Sequence, residues 1–424
     1  MINWRSNYAF ALYRDTESRW SEARLILGSF LIILLVGTLF LVQPSSHNGE
    51  VTFINALFTA TSAISVTGLG VVDTGTAFTL QGQIILLILM EIGGLGQMTM
   101  TLLLIAMFSK RVGLRQQILA KEALGQEGSV NIIQLVKRIV LFALIAQLIG
   151  TAIMAIRWVP EMGWGHGLYV SFFHAVSAFN NAGFSLFANN LIDYRDDPFI
   201  SLTIPALLIL GGLGFTVIVD LVRNRRWRKL KLHSKLMLLM TPALLLLGTL
   251  MFWLLEHNNP ATLGNAGPGG QLLAAFFQSA TARTAGFNTV DIGQMVPASL
   301  LFMMMLMFIG AGATSTGGGI KVTTFAVVLL ATRAFLTKRP HVTAFGRTLS
   351  PQIVTRSLAI IIVSTMVLML AMFLLMVTED LPFDKIMFET ISAFATVGLS
   401  TGITASLSEP GKLILVLVMI CGRL

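Results

Sequence analysis

One short motif occurs four times in this chain, each time ending in Gly-Leu or Gly-Phe. The copies are Ser62-Ala-Ile-Ser-Val66-Thr67-Gly68-Leu69, Ser177-Ala-Phe-Asn-Asn181-Ala182-Gly183-Phe184, Ala280-Thr-Ala-Arg-Thr284-Ala285-Gly286-Phe287 and Ser392-Ala-Phe-Ala-Thr396-Val397-Gly398-Leu399. The glycines stand 115, 103 and 112 residues apart. A unit of that length, used four times around one axis, predicts a pseudo-four-fold pore made from a single chain. Four glycine loops meeting on the axis would offer backbone carbonyls, which can replace the water shell of a small cation.

Composition places this arrangement in a membrane. The chain is 55% hydrophobic and 12% charged, against about 25% charged in a typical soluble domain. The single cysteine, Cys421, excludes an intramolecular disulfide framework and a Cys-rich metal site. Residues 1–23 are polar and carry Arg5, Arg14 and Arg19, so they read as a cytoplasmic arm and not as a cleavable signal peptide. The net charge of +9 does not point to nucleic acid, because of where the charges lie. Of the 29 Lys and Arg, 22 fall in residues 1–24, 109–138, 223–235 and 333–356, each beside long apolar stretches. That is the positive-inside pattern. Asp73, Glu161, Asp193, Asp291 and Glu379 are among the acidic residues assigned to the other side, where an acidic vestibule would gather cations.

A bilayer core of roughly 30 Å needs about 20 apolar residues per helix. Full spans are predicted near 24–43, 80–108, 133–157, 199–222, 236–255, 299–333, 353–378 and from 411 onward. Between the members of each pair lies a shorter apolar segment, at 51–64, 167–180, 271–283 and 383–395. Each precedes one of the four glycines and reads as a re-entrant pore helix with an extended return. Such backbone is tolerated at membrane depth only where protein buries it or it lines a watery cavity.

The predicted fold is therefore an all-α polytopic membrane protein of four span–pore helix–filter–span repeats, with eight transmembrane helices. The repeats are 24–108, 133–222, 236–333 and 353–424, joined by linkers 109–132, 223–235 and 334–352. The linkers lie inside and the filters open outside. From Lys412 only 13 residues remain, about 20 Å of helix at 1.5 Å per residue, so the last span reads as truncated.

The second span of each repeat carries small residues: Gly93-Gly94-Leu-Gly96, Gly211-Gly212-Leu-Gly214, Gly310-Ala-Gly312-Ala and Cys421-Gly422-Arg423-Leu424. In repeats one and two this fits close helix packing. Repeat three goes further. Gly310-Ala-Gly312-Ala-Thr314-Ser315-Thr316-Gly317-Gly318-Gly319-Ile-Lys321 falls in mid-span, where each interior glycine costs a helix about 1 kcal/mol relative to alanine. It reads as a broken helix with an intramembrane loop, either a gate under the filter or a kink that lets neighbouring helices pass. The gate is preferred because the break is expected in one repeat alone.

Arg423 aligns with Gly94, Gly212 and Ala311, and a charge inside a span usually faces a cavity or a partner. It is expected to face the pore near the glycine-rich loop as an electrostatic barrier, or else to snorkel or pair with a carboxylate such as Asp220. Arg283, three residues before Gly286, is expected to brace the filter from behind, against Glu389. Glu91 is expected to be a buried, paired residue, with an ion ligand as the other reading.

These motifs, in this order and number, resemble the Trk/Ktr/HKT superfamily of potassium-translocating proteins over essentially the whole chain. With its first repeat beginning near residue 24, the chain is more similar to the Ktr-type membrane subunit of bacteria than to Trk-type members, which carry two extra N-terminal spans. The resemblance implies potassium bound at the filter carbonyls of the four motifs and no covalent cofactor. It implies a homodimer with one pore per protomer in the cytoplasmic (inner) membrane, N-terminus inside. It also implies a cytosolic ring of RCK/KTN-type regulatory subunits that binds ATP or ADP. The basic stretches 109–138 and 223–235 would dock that ring, or mark topology and touch anionic lipid. Glycine at all four positions resembles the potassium-selective members, whereas plant relatives with serine at the first position carry sodium. Four unequal filter strands imply fewer full carbonyl rings, which leaves room for sodium as activator or co-ion.

Two other classes compete. An alternating-access cation symporter would place its site at midplane breaks, but such folds usually use inverted or two-fold repeats. A membrane enzyme finds no support, since His174 and His233 have neither metal nor nucleophile spacing.

Overall fold

The computed structural model describes residue 24 and residues 26–49, 51–96, 132–313 and 315–423. The predicted N-terminal arm, the predicted 80–108 span from residue 97 onward, the 109–132 linker up to residue 131, Thr314 and Leu424 lie outside the described residues.

Apart from one short hairpin, the regular elements of the described residues are helical. Named by the repeats predicted above, repeat one holds α1 (Ile26–Leu41), α2 (Phe53–Ile64), the single turn α3 (Thr74–Ala77) and α4 (Leu80–Glu91). Repeat two holds α5 (Ile132–Met162), α6 (Trp164–Phe179), α7 (Pro198–Gly212) and α8 (Phe215–Arg223). Repeat three holds α9 (Leu232–Glu256), α10 (Pro268–Thr281), α11 (Pro297–Phe308) and α12 (Val322–Leu336). Repeat four holds α13 (Pro351–Thr378), α14 (Phe383–Phe394) and α15 (Glu409–Arg423).

Local chemistry sets several starts. Thr52 and Thr79 cap α2 and α4 through their hydroxyls, and the Asp197 carboxylate accepts from the amides of Phe199 and Ile200 at the head of α7. Pro198, Pro268, Pro297 and Pro351 sit in the first turn of their helices, where a missing N–H costs nothing.

Helices α5, α9 and α13 are long and apolar enough to cross a membrane alone. Their outer faces expose Leu148, Leu246, Met366 and Phe373, as a surface against hydrocarbon does. The chain is a membrane protein on this composition and packing. The four short helices predicted before the glycines are present as α2, α6, α10 and α14.

The second spans differ from expectation. In repeat one, α4 passes into a π-helical turn over Ile92–Gly96. In repeat two, α7 and α8 meet at a bend of 87°, with Gly214 at φ +90°. The break is thus not confined to repeat three, which removes one ground for reading Gly310–Lys321 as unique.

The linker after α12 forms a small hairpin pairing Thr343 with Thr348 and Ala344 with Arg347. Its turn residues Phe345 and Gly346 both have positive φ, as a type I′ turn requires. Phe345 meets Trp227 edge-on at 6.2 Å, joining the two basic linkers.

The core is not four separate cores. The large residue after each motif glycine is buried in the preceding repeat. Phe184 packs with the residues of repeat one and Phe287 with those of repeat two. Leu399 packs into repeat three, and Leu69 closes the circle by packing into repeat four. Each repeat therefore lacks part of its core until its neighbour is in place.

Candidate functional site

The four motif glycines lie in a closed ring. A methyl built on Gly68 would lie 2.5 Å from the carbonyl oxygen of Ala182, and one on Gly183 would lie 2.7 Å from that of Ala285. One on Gly286 would lie 2.8 Å from the oxygen of Val397, and one on Gly398 would collide with the oxygen of Thr67. Each glycine thus makes room for a carbonyl of the next loop, in cyclic order. The oxygens of Thr67, Ala182, Ala285 and Val397 form one layer of this ring.

The backbone is alike in all four loops. Gly68, Gly183, Gly286 and Gly398 have φ of +93°, +70°, +78° and +88°. The residues two places earlier are also left-handed: Val66 at 58°, Asn181 at 60°, Thr284 at 70° and Thr396 at 50°. Three of these are β-branched, for which such a φ is a genuine outlier. In repeats one, two and four the conformation is set by the helix end. Thr67 N donates to Ser62 O, Ala182 N to Ser177 O and Val397 N to Ser392 O, each at 2.8 Å. With Val66, Asn181 and Thr396 donating to Ala63, Ala178 and Ala393, these are Schellman closures with a non-glycine in the left-handed place. The hydroxyls of Ser62 and Ser392 also accept from the amides of Gly68 and Gly398, at 3.0 and 3.1 Å. Repeat three departs from this: Ala285 N donates to Thr281 O, and the Thr281 hydroxyl donates to the Phe287 carbonyl.

Of the predicted filter residues, Leu69, Phe184, Phe287 and Leu399 contribute as anchors, since their side chains are buried in neighbouring cores. The left-handed residues turn their side chains toward the second spans and the glycine-rich segment. Val66 lies against Gly93, and Asn181 donates to the Thr284 hydroxyl at 3.2 Å.

The segment after α11 packs directly on this side of the ring. Thr316 Oγ1 donates toward Asn181 Oδ1 at 3.3 Å, and Gly318 N donates to the Thr396 hydroxyl at 3.1 Å. Gly317 sits against Thr284, and Gly319 against Ala395. Gly312 N bonds Gly212 O at 2.9 Å, Thr316 N bonds Gly211 O at 3.3 Å and Gly319 N bonds Gly422 O at 3.3 Å. Inside the segment, Gly310 N donates to Ile320 O, Ser315 Oγ to Gly312 O and Lys321 Nζ to Gly317 O. The small residues of the other second spans have a related use. Gly93, Gly211 and Gly422 each leave room for the carbonyl oxygen of Ile64, Phe179 or Phe394 at the end of a short helix.

Arg423 is buried and grips this segment. Its guanidinium donates to the Thr316 carbonyl and, at 2.5 Å, to the carbonyl of Gly93 in repeat one. The alternative partner is excluded: Asp220 instead accepts from Asn224 Nδ2 and Lys231 N, both at 2.9 Å, at the end of α8. The expected brace between Arg283 and Glu389 is also absent. Glu389 accepts from the hydroxyls of Ser400 and Thr404 in its own repeat, and Arg283 forms no ion pair with it. Both hydroxyls meet Oε1, and Oε2 has no hydrogen-bond partner, so the carboxylate is held from its own repeat and not by the guanidinium. Glu91 is paired as expected, accepting from Asn180 Nδ2 at 2.6 Å and from Gln147 Nε2 at 3.0 Å.

A family described as TrkH, cation transport protein, matches residues 9–424. The chain belongs to this family of cation transport proteins. The TrkH family is one of transporters and not of enzymes. Among relatives, the Ktr system potassium uptake protein B of Vibrio alginolyticus is 58% identical, over 96% of this chain and 90% of its own. The potassium/sodium uptake protein NtpJ of Enterococcus hirae is 40% identical, over 97% of this chain and 92% of its own. The crystal structure of the potassium transporter TrkH from Vibrio parahaemolyticus has the same fold, with a TM-score of 0.72 at 19% identity over 93% of this chain and 82% of that one.

Sequence reasoning missed the cyclic exchange of anchors, the bend at Gly214 and two serine contacts described below. The repeated Gly-Leu and Gly-Phe pairs were a usable signal for the first.

Proposed function

We propose that this chain takes up potassium across the cytoplasmic membrane through a pore whose selectivity filter is the ring of four glycine loops. The observation that carries this reading is the closed ring itself, with its repeated left-handed backbone and its layer of main-chain oxygens. Such a layer can replace the hydration shell of a cation while the chain supplies no charge of its own. The names of the potassium uptake relatives support potassium as the ion. The division into repeats 24–108, 133–222, 236–333 and 353–424 belongs to the same proposal.

The basic linkers lie inside, with the N-terminus, and the filter opens outside. A cation moving inward gains about 2.3 kcal/mol per 100 mV of membrane potential, enough to concentrate potassium without ATP hydrolysis by this chain. The Gly310–Lys321 segment, held by Arg423, is the gate beneath the filter. The guanidinium blocks cations while it grips Thr316 and Gly93. Sodium acts as an activator, in keeping with the name of the potassium/sodium relative. A homodimer and a cytosolic nucleotide-binding ring of the RCK/KTN type, sensing ATP and ADP, complete the assembly; the word "system" in the name of the Vibrio alginolyticus relative supports more than one component.

An alternating-access symporter is the second reading. The bend at Gly214 favours it, since broken helices often mark a midplane site in such transporters.

Rubidium uptake into proteoliposomes at a set membrane potential separates the two. Voltage-driven uptake, blocked by potassium and altered in selectivity by Gly68→Ser, is the expected result. Uptake indifferent to both voltage and Gly68→Ser would hand the chain to the symporter reading. Removing Gly317–Gly319 is expected to raise maximal flux at similar half-saturating potassium; a fall in flux would make the segment a support and not a gate.

A further inference from the structure

The ring has a second, lower symmetry in the strands that leave it. Nine residues before each motif glycine, the short helices carry Thr59, His174, Phe277 and Glu389. Two residues after each glycine stand Gly70, Ser185, Asn288 and Ser400. In repeats two and four these positions touch. His174 Nε2 meets Ser185 Oγ at 3.0 Å, and Glu389 Oε1 meets Ser400 Oγ at 3.0 Å.

The polarity of the two contacts is the same. His174 Nδ1 lies 2.8 Å from the Val170 carbonyl, so it carries the proton and Nε2 accepts from Ser185. Glu389 accepts from Ser400 and also from Thr404. Each serine oxygen in turn accepts from the amide two residues on, Phe187 at 3.0 Å and Gly402 at 2.9 Å. One hydroxyl thus ties the outgoing strand both to its own turn and to the short helix. His174 and Glu389 are among the most buried side chains of the molecule.

Repeats one and three lack this tie. Gly70 has no side chain. The Asn288 amide donates to Val290 O, and its backbone pairs with Leu191 and Asn190 of the neighbouring loop. In the cyclic order of the ring, repeats two and four face each other. Repeat three ties its outgoing strand in another way, with the Thr281 hydroxyl donating to the Phe287 carbonyl and Gln278 Nε2 to the Thr289 hydroxyl at 3.4 Å, so it is the serine tie that lies across one diagonal only.

We propose that His174 and Glu389 are positioning residues of the filter. Through Ser185 and Ser400 they hold two opposite strands at the width that favours potassium over sodium. The proposal rests on the filter reading above. Its chemistry is steric and electrostatic: a smaller ion needs the carbonyls to move inward, and two tethered strands resist that movement.

The test uses the full chain in proteoliposomes, with rubidium uptake and sodium as competitor. Ser185→Ala and Ser400→Ala should each raise half-saturating rubidium and strengthen sodium competition by about fivefold, the factor that one ordinary net hydrogen bond represents. Maximal rate should change less. Ser185→Thr and Ser400→Thr keep the hydroxyl and should restore the wild-type ratio, as should Glu389→Gln, which keeps an acceptor oxygen. Gly183→Ser serves as the filter control. If it alters sodium competition while both alanine variants compete as wild type does, the tethers are irrelevant and the filter reading stands. If Gly183→Ser is also without effect, the filter reading falls and takes this inference with it. A loss of melting temperature and maximal rate with an unchanged sodium-to-rubidium ratio would reduce the two contacts to fold support and overturn the proposal.

Discussion

The four glycine loops and the Gly310–Lys321 segment are both glycine-rich, and they are held in opposite ways. In the loops of repeats one, two and four, the bonds come from the loop's own short helix, through Schellman closures of 2.8 Å. In the segment, most bonds come from elsewhere: Gly211 and Gly212 in repeat two, Thr396 and Gly422 in repeat four, and the Arg423 guanidinium. A loop closed by its own helix keeps its shape when its neighbours shift. A segment held by other repeats follows them. The first arrangement suits a filter and the second suits a gate.

The largest expected effect falls on the self-held loops. Gly398→Ala puts a methyl into the Thr67 carbonyl at a φ of +88°, where an L-residue alone costs about 1–2 kcal/mol. Rubidium uptake should drop at least about a hundredfold, since clash adds to that cost. Uptake near wild type would show that the ring is looser than its contacts imply. Next comes the externally held segment. Arg423→Ala removes two bonds from a charged donor, each worth about 1.5–3 kcal/mol. Maximal flux should rise by roughly tenfold at similar half-saturation, because the segment is released while the ring is untouched. A reduced flux with lower melting temperature would break the comparison at this point. Thr316→Val loses weaker hydroxyl contacts of 3.3 and 3.4 Å to Asn181 and Phe179. A rise in flux of no more than about threefold is expected, readable in the same assay. The smallest effect should come from Val66→Asn, which copies the residue that repeat two uses in the same left-handed place. Half-saturating rubidium should stay within about twofold, and the melting temperature should not fall by more than a few degrees. A large loss would mean that Val66 packing against Gly93, and not its backbone, fixes the first loop.

Much of this was legible in the chain, because it depends on local pattern. The four motifs, the four short helices before them and the break after Phe308 follow from spacing, apolar runs and glycine content. The differences among second spans do not. Gly93-Gly94-Leu-Gly96 and Gly211-Gly212-Leu-Gly214 have the same composition, yet one makes a π-helical turn and the other an 87° bend. The carbonyl of Gly212 bonds Gly312, a partner one hundred residues away, and such a bond leaves no local mark. Arg423 was legible as a special charge, but its acceptors are main-chain oxygens that any residue could supply. The Arg283–Glu389 pairing failed for a related reason. Opposite charges in neighbouring helices suggest a bridge, while the fold gives Glu389 Oε1 to Ser400 and Thr404 of its own repeat, a pairing that charge alone does not mark in the sequence.

The circular exchange of anchors has a consequence for synthesis. Leu69 belongs to the core of repeat four, Lys412 Nζ reaches Asn55 at 3.1 Å, and Arg423 reaches Gly93. These partners are separated by more than three hundred residues, so the earliest-translated quarter waits for the last. Until then its short helix and loop have no neighbour on one side. Pairings so distant along a chain form late and slowly. The ribosome must therefore deliver repeat four before the first glycine can take its final place, and closure of the ring comes late in assembly.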